Sequence, residues 1–227
     1  MDKVSIIIPV YNRHDTIHEA INSIYEQDWD HNQLEIIISD DCSEKPFDYL
    51  KKDYPGIIII RGNTNRGAGI ARQRGLNIAS GEWIVFLDAD DLLCPEAFKV
   101  INNRYSMIIN NTITYKNNNR AGSGDLSKLA NHGSIYKKSA LDKYDIRFDS
   151  YLRIYEDANF QMKCFGKIPE HLIHYTHIDG YIMRTNGSST LAELGIEWFR
   201  ESLFEYMYHV IEYLKNVIII YQEDKFK

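Results

Sequence analysis

Residues 82–91 read Glu-Trp-Ile-Val-Phe-Leu-Asp-Ala-Asp-Asp, so that an apolar strand ends in three carboxylates within four residues. The strand is apolar enough to be buried on both faces, as strands of parallel sheets are. Its carboxylates must emerge at its carboxyl end, where they repel one another unless a cation, protons or hydrogen-bond donors offset their charge. Carboxylate oxygens suit Mg²⁺ or Mn²⁺. Taken alone, the stretch fits a cation site and a solvated acidic turn equally well.

The first hundred residues alternate strand and helix. We expect strands at 4–10, 34–39, 57–60 and 82–87, and helices at 14–27, 47–52 and 67–79. This order predicts a parallel sheet with right-handed crossovers, in which ligands bind outside the carboxyl ends of the strands. Conspicuous polar residues follow three of these strands, namely Tyr11-Asn12, Asp40-Asp41 and Asp88 through Asp91. We expect them to meet at one edge of the sheet.

The second half of the chain is less regular. We expect a polar turn or loop at 116–124, a strand at 134–136, a helix at 156–165 and an amphipathic helix at 192–216. The wide apolar face of the last helix fits packing against the sheet or a partner subunit, and its acidic polar face argues against a membrane surface. The chain is interpreted as one domain, with a nucleotide-binding half (1–98), an acceptor-side half (99–190) and a C-terminal helical extension (191–227).

The composition is that of a globular protein, with 44% hydrophobic residues and a net charge of −6. A generally basic nucleic-acid surface is therefore excluded. Three widely spaced cysteines give neither a zinc ribbon nor a disulfide framework. The apolar runs are too short to span a bilayer, and the first residues lead directly into a strand. We expect a cytoplasmic protein.

Three other binding or catalytic motifs are excluded. Tyr11-Asn12-Arg13 follows the first strand where a dinucleotide fold needs G-x-G-x-x-G. Gly62 and Gly67 have the spacing of a phosphate loop, but Ala68-Gly69 stand where Lys and Ser or Thr are required. The sequence also lacks the G-x-S-x-G elbow of one hydrolase class. A sheet with acids at its rim suits a nucleotide whose phosphates arrive with a metal ion.

The motifs resemble those of a known family. In chain order they are Ile6 through Asn12, Ser39-Asp40-Asp41-Cys42-Ser43, Asn65-Arg66-Gly67 with Ala71-Arg72, Asp88-Ala89-Asp90-Asp91, and Glu156-Asp157. Together they resemble the family 2 glycosyltransferases, inverting enzymes with the GT-A fold. The resemblance implies an α/β, Rossmann-like and mostly parallel sheet flanked by helices. Two departures are Cys42, where glycine is usual, and Gln73, where asparagine often follows the arginine.

The resemblance also implies roles for single residues. Asp41 would hydrogen-bond the uracil ring, Asp88 would face the ribose, and Asp90 would hold Mn²⁺ or Mg²⁺ on the diphosphate. Asp157 would be the general base that deprotonates an acceptor hydroxyl. The full donor-binding set is Pro9, Tyr11, Asp41, Asn65, Gly67, Arg72, Asp88, Ala89 and Asp90. On strand geometry, Asp88 and Asp90 would face one ligand while Asp91 turns away.

Three histidines, His171, His174 and His177, invite comparison with a zinc site. In a strand, His174 would lie on the face opposite the other two, so a structural zinc site is not expected. His177 is the candidate to complete the catalytic metal shell. His132 precedes the expected strand at 134–136. This segment either lines the acceptor side or is a simple strand that ends in the basic pair Lys137-Lys138.

The main functional hypothesis is transfer of a sugar from a UDP-sugar to a hydroxyl of a glycan or glycolipid. One alternative is a phage-type enzyme that glycosylates a nucleic-acid base, for which a local basic cluster is the candidate groove: Lys116, Arg120, Lys128, Lys137, Lys138 and Lys143. Another is a non-catalytic module that binds nucleotide sugars. Homodimerisation and peripheral contact with the inner face of a membrane stay open at this stage.

Overall fold

The computed structural model describes residues 2–116, 119–124 and 132–184, and the side chains of residues 2–115 and 132–184. The strands and helices, in chain order, are β1 (Val4–Val10), α1 (Ile17–Tyr25), β2 (Leu34–Asp40), α2 (Leu50–Asp53), β3 (Ile58–Arg61), α3 (Ala68–Ile78), β4 (Trp83–Phe86), β5 (Leu92–Leu93), β6 (Met107–Lys116), β7 (Asn119–Gly124), β8 (Ser134–Lys137), α4 (Lys138–Lys143), α5 (Glu156–Lys167) and β9 (Ile173–Arg184).

Within this part of the chain, nine strands form one mixed sheet in the order β3-β2-β1-β4-β8-β6-β9-β5, with β7 paired to β6. The first four strands are parallel, as expected, with Val10 opposite Asp40 and Ile7 opposite Phe86. β8 runs antiparallel to β4. The start of β8 therefore lies beside the carboxyl end of β4.

Helices cover both faces of the sheet because the strands are apolar on both sides. Every residue of β1 is buried, and Ile6 and Ile8 pack with α1 on one face while Ile7 packs on the other. α3 approaches the second face closely at Gly75, where a Cβ atom would lie 2.4 Å from Cγ2 of Ile7. On the same face, the ring of Phe148 stacks at 4.2 Å on that of Phe160, which belongs to α5.

A polar network holds the amino-terminal ends of the strands. The Glu35 carboxylate accepts hydrogen bonds from Lys3 Nζ at 2.8 Å, from Ser5 Oγ at 2.6 Å and from the Ser80 amide at 2.8 Å. The pKa of Glu35 is lowered to about 2, because these donors outweigh its burial. This network lies at the edge of the sheet opposite the acidic turn.

One expected element differs from the structure, and another lies outside the described residues. The segment 116–124 was expected to be a polar turn or loop, which is wrong, because 119–124 forms β7 and pairs antiparallel with the end of β6. The hydrogen bonds between β6 and β7 are made by backbone groups and do not depend on the side chains. An Asn- and Gly-rich segment can therefore form a strand although its composition does not predict one. The amphipathic helix expected at 192–216 lies outside the described residues. Among the helices that are described, none has the length and apolarity to cross a membrane.

Candidate active site

The acidic stretch after β4 is a turn. Regular strand ends at Phe86, and the Asp91 amide donates to the Asp88 carbonyl at 3.0 Å. A turn brings residues i and i+3 together, and carboxylate oxygens of Asp88 and Asp91 lie within 4.8 Å of each other. The strand alternation behind the expectation for Asp91 does not hold, but the Asp91 carboxylate contacts β9, and its turning away from a ligand stays a prediction.

Arg72 is buried between the acidic turn and α5. Its guanidinium donates to Asp88 Oδ1 at 2.6 Å and to Glu156 Oε1 at 2.8 Å, and its side chain is 3% exposed. Burial raises the pKa of the Asp88 carboxyl, but the Arg72 charge outweighs burial and holds it well below its ordinary value. The pKa of Arg72 is raised in turn by both carboxylates, against the effect of its own burial. Arg72 thus joins the two halves of the chain.

Two carboxylates open α5. Glu156 is buried against Arg72, and burial together with the neighbouring Asp157 raises the pKa of Glu156 to about 7. Asp157 is less buried and accepts a hydrogen bond from the Ala158 amide at 2.7 Å. Tyr155, just before the helix, has a φ of 59°, a strained value for a residue other than glycine.

His132 lies beside the acids because β8 starts at the carboxyl end of β4. Its Nε2 atom is 3.5 Å from Asp88 Oδ2, and its ring centroid is 5.1 Å from that of Tyr181. Burial alone lowers the pKa of His132, but the carboxylates of Asp88, Asp157 and Asp91 raise it to about 9. These carboxylates favour the protonated ring, which must lose its proton before Nε2 can bind a cation.

The other two acids of the turn differ in exposure. The Asp90 side chain is 45% exposed and lies 3.5 Å from Arg13 Nε. Asp91 is buried, and its carboxylate accepts hydrogen bonds from Tyr181 Oη at 2.8 Å and from the Arg184 amide at 2.7 Å. Burial and the neighbouring Asp88 raise the pKa of both carboxyls, that of Asp91 to about 7.

A second loop at the same edge is held by Asp41, which follows β2. Asp41 Oδ2 accepts from the amides of Arg66 at 2.7 Å and Gly67 at 2.6 Å, so this carboxylate shapes the loop that precedes α3. The Asn65 side chain accepts from Arg153 at 2.8 Å. Gly67 has a φ of 93°, a conformation that glycine adopts most easily. Cys42 has a φ of 70°, which explains why glycine is usual at this position in the family that the chain resembles.

The structure places the expected site residues in two groups. Asp41, Asn65 and Gly67 form the loop contacts just described, near the ends of β1 and β2, where Pro9 is part of β1 and Tyr11 is 45% exposed. The second group surrounds the acidic turn and comprises Arg72, Asp88, Ala89, Asp90 and, through Arg72 and Glu156, Asp157. Both groups lie at the carboxyl edge of the parallel strands, as the sequence predicts. Their roles towards a ligand remain predictions.

The side chains at the turn have the chemistry of a divalent cation site. Asp88, Asp91 and His132 each offer an atom within 4.8 Å of the other two, and carboxylate and imidazole ligands suit Mn²⁺. Each oxygen of Asp91 already accepts one hydrogen bond, so Asp88 Oδ2 and His132 Nε2 are better placed than Asp91 to face a cation. His177 is exposed on β9 and is not a member of the group, so its role as a ligand stays a prediction.

Sequence reasoning missed several contributors to this site. Glu156 was seen only as the neighbour of Asp157, and Arg13 only as a residue of the strand end. Tyr181 and the amide of Arg184 reach the turn from β9, some 90 positions along the chain. His132 was noted without this role. Only the order of strands in the sheet brings such residues together, and a single sequence does not reveal that order.

Comparisons with known proteins agree with the geometry. Residues 5–105 match the family model described as "Glycosyl transferase family 2". This domain places the chain in glycosyltransferase family 2.

Relatives of this family 2 chain include "Minor teichoic acid biosynthesis protein GgaB" of Bacillus subtilis, which is 30% identical over 93% of this chain and 27% of its own length. Another is "GalNAc(5)-diNAcBac-PP-undecaprenol beta-1,3-glucosyltransferase" of Campylobacter jejuni, which is 34% identical over 64% of this chain and 47% of its own. The chain spans only 27%, 33% and 29% of the length of three curated relatives that it matches.

Solved structures support the GT-A fold. Staphylococcus aureus TarS in complex with UDP-GlcNAc superposes with a TM-score of 0.75 at 23% identity, over 92% of this chain and 66% of that one. A mannosyltransferase from Pyrobaculum calidifontis in complex with GDP-Man and Mn²⁺ gives a TM-score of 0.67 at 17% identity, over 93% of this chain and 64% of that one. The Rossmann-like sheet with helices on both faces is thus the architecture that these glycosyltransferases share.

Proposed function

We propose that the chain is an inverting glycosyltransferase that moves a sugar from a UDP-sugar to a hydroxyl of a glycan or glycolipid. The observation that carries the proposal is the bridge made by Arg72, which joins Asp88 of the acidic turn to Glu156, the neighbour of Asp157. The residue expected to hold the donor and the residue expected to activate the acceptor therefore stand on one buried support. A solvated acidic turn without a binding role would not require a buried arginine that connects it to α5.

The donor would lie along the carboxyl edge of the sheet. The loop at Asn65–Gly67 and the exposed ring of Tyr11 bound the nucleoside side, and Asp88 and Asp90 face the ribose and the diphosphate. A divalent Mn²⁺ or Mg²⁺ held by Asp90, with Asp88 and His132 beside it, would supply positive charge against the leaving diphosphate. Arg13, next to Asp90, adds a fixed positive charge at the same place.

Asp157 would act on the acceptor. An acceptor hydroxyl is a poor nucleophile until a positioned carboxylate takes its proton, and Asp157 is the more exposed of the two acids that open α5. Attack from the face opposite the diphosphate would invert the anomeric carbon. Glu156 is tied to Arg72 and is not available for this role.

The names of relatives support the acceptor class. They include two kinds of poly(ribitol-phosphate) glycosyltransferase and an enzyme named for an undecaprenol-linked glycan. A polymer or lipid-linked hydroxyl is therefore the proposed acceptor for this chain. A cytoplasmic location, peripheral membrane contact and a homodimer are further parts of the proposal.

The nucleic-acid alternative loses support from the position of its lysines. Lys137 lies opposite Trp83, at the amino end of β4, and pairs with Glu82 at 3.2 Å. Lys138 follows it and pairs with Asp142. These two lysines are at the edge of the sheet away from the acidic turn, and the side chains of Lys116, Arg120 and Lys128 lie outside those described.

A donor panel tests the proposal. Binding of UDP, GDP and several nucleotide sugars is measured by calorimetry with Mn²⁺, with Mg²⁺ and with EDTA. We expect one UDP-sugar to bind, and we expect Asp90→Ala to weaken cation-dependent binding at least tenfold. Glu96→Gln removes an exposed carboxylate paired to Lys99 and serves as the control that leaves binding unchanged. Failure of the wild-type chain to bind any uridine nucleotide would overturn the proposal.

A further inference from the structure

The hydroxyl of Tyr181 lies between two residues of the acidic turn. It accepts a hydrogen bond from the Asp88 amide at 3.2 Å and donates one to Asp91 Oδ2 at 2.8 Å. Tyr181 is fully buried. We propose that Tyr181, acting through Asp91, is a positioning residue for the donor site, fixing the turn in the shape that presents Asp88 and Asp90 to the donor. The inference rests on the function proposed above.

The place of this hydroxyl is set by the sheet. The backbone of Tyr181 pairs with Leu93 of β5 on one side and with Thr112 of β6 on the other. Gly133, in the left-handed region at a φ of 71°, lies so close that a Cβ there would be 3.5 Å from Tyr181 Cβ. A side chain held from three directions is a rigid support, and rigid support is what a precise ligand site needs.

Asp91 completes the support, because each of its oxygens accepts a hydrogen bond from β9. Its Oδ2 atom accepts from Tyr181 and its Oδ1 atom accepts from the Arg184 amide at 2.7 Å. The acid therefore serves to bind the turn to β9. Asp88 Oδ2 and the half-exposed Asp90 carboxylate are left to meet the donor.

Removing only the phenol oxygen isolates this role. Tyr181→Phe keeps the ring but leaves the Asp88 amide and Asp91 Oδ2 short of a buried partner, which such groups tolerate poorly. Tyr136→Phe is the matched control, because Tyr136 is also fully buried and its hydroxyl donates to Gln161, away from the turn. Both variants should be less stable than the wild type, but only Tyr181→Phe should disturb the acidic turn.

Three measurements test the inference: urea unfolding, calorimetric binding of UDP with Mn²⁺, and hydrogen–deuterium exchange of the peptide that covers residues 87–91. We expect Tyr181→Phe to bind UDP at least tenfold more weakly and to exchange faster in that peptide. Tyr136→Phe should match the wild type in both. Because Tyr181 acts through Asp91, the double variant with Asp91→Asn should bind UDP no more weakly than the weaker of the two single variants.

The outcomes separate this inference from the proposed function. If the wild type binds UDP and Tyr181→Phe binds it equally well, the positioning role is overturned and the function stands. Weaker binding without faster exchange at 87–91 also overturns it, since the turn would then be undisturbed. If the wild type binds no UDP, the proposed function fails and the inference fails with it.

Discussion

Arg72 and Glu156 lie 84 positions apart in the chain and form a buried hydrogen-bonded ion pair at 2.8 Å. The same guanidinium reaches Asp88. A planar guanidinium can serve two carboxylates at once, whereas an ammonium is a single point charge. This contact connects α3, in the first half of the chain, to α5, in the second half.

Replacing Arg72 should therefore destabilise the fold strongly. Arg72→Met leaves Asp88 and Glu156 buried without their cation, and breaking a buried pair in this way costs about 3–5 kcal/mol. The loss should be larger at pH 8 than at pH 5, because a carboxyl without its cation protonates more easily as the pH falls. Urea unfolding at the two pH values measures it. Equal stability of Arg72→Met and the wild type at pH 8 would show that the bridge does not exist.

Glu156→Gln should change how stability depends on pH. The pKa of Glu156 is raised from an ordinary 4.5 to about 7, so the folded state holds a proton that the unfolded state releases. The associated stability is present below pH 4.5 and is lost as pH rises through 7, at up to about 1.4 kcal/mol per pH unit. Glu156→Gln should remove that loss. Parallel stability profiles for the variant and the wild type between pH 4.5 and 7 would contradict this.

Glu35→Gln, at the opposite edge of the sheet, should change the pH dependence of stability in the opposite direction. The pKa of Glu35 is lowered to about 2, so its contribution to stability is present above its ordinary value of 4.5 and is lost as pH falls through 2. We expect the variant to be about 1–3 kcal/mol less stable at pH 7, with the difference shrinking in acid. UDP binding should be unchanged, because the network with Lys3, Ser5 and Ser80 is remote from the acidic turn.

Cys42 tests the strained turn after Asp41. The backbone of Cys42 has a φ of 70°, a conformation that glycine adopts easily and a β-branched residue does not. We expect Cys42→Gly to unfold within about 0.5 kcal/mol of the wild type, because relieved strain offsets a more flexible unfolded chain. Cys42→Val should lose about 1–2 kcal/mol. Thermal unfolding of the two variants compares them, and an equally stable valine variant would argue against the left-handed backbone.

Much of the fold of residues 1–98 could be predicted from sequence because its signals are local. Apolar runs such as Val4–Val10 and the helical spacing at Ile17, Ala20, Ile21 and Ile24 are confirmed as buried elements. That the carboxyl ends of β1, β2 and β4 lie at one edge of the sheet could be predicted because these strands are parallel. The strand alternation used to orient the acids does not extend beyond Phe86, because the backbone turns at Asp88.

The rest of the site depends on contacts that no local pattern contains. His132 reaches Asp88 only because β8 runs antiparallel beside β4, and Tyr181 reaches it only because β9 lies two strands further on. The pairing of β7 with β6 was missed for a related reason, since its side chains give no apolar signal. Partner choice between distant strands is set by the whole fold.

The most direct test of the account is turnover by Asp157→Asn beside the wild type, with the UDP-sugar that binds and with Mn²⁺. Slow hydrolysis of the donor, followed as released UDP, is the reaction measured, and UDP binding is measured on the same samples. The account predicts that Asp157→Asn binds UDP within about twofold of the wild type and releases UDP from the donor at least 100-fold more slowly, the scale of general-base catalysis. Turnover by Asp157→Asn at the wild-type rate would contradict the account.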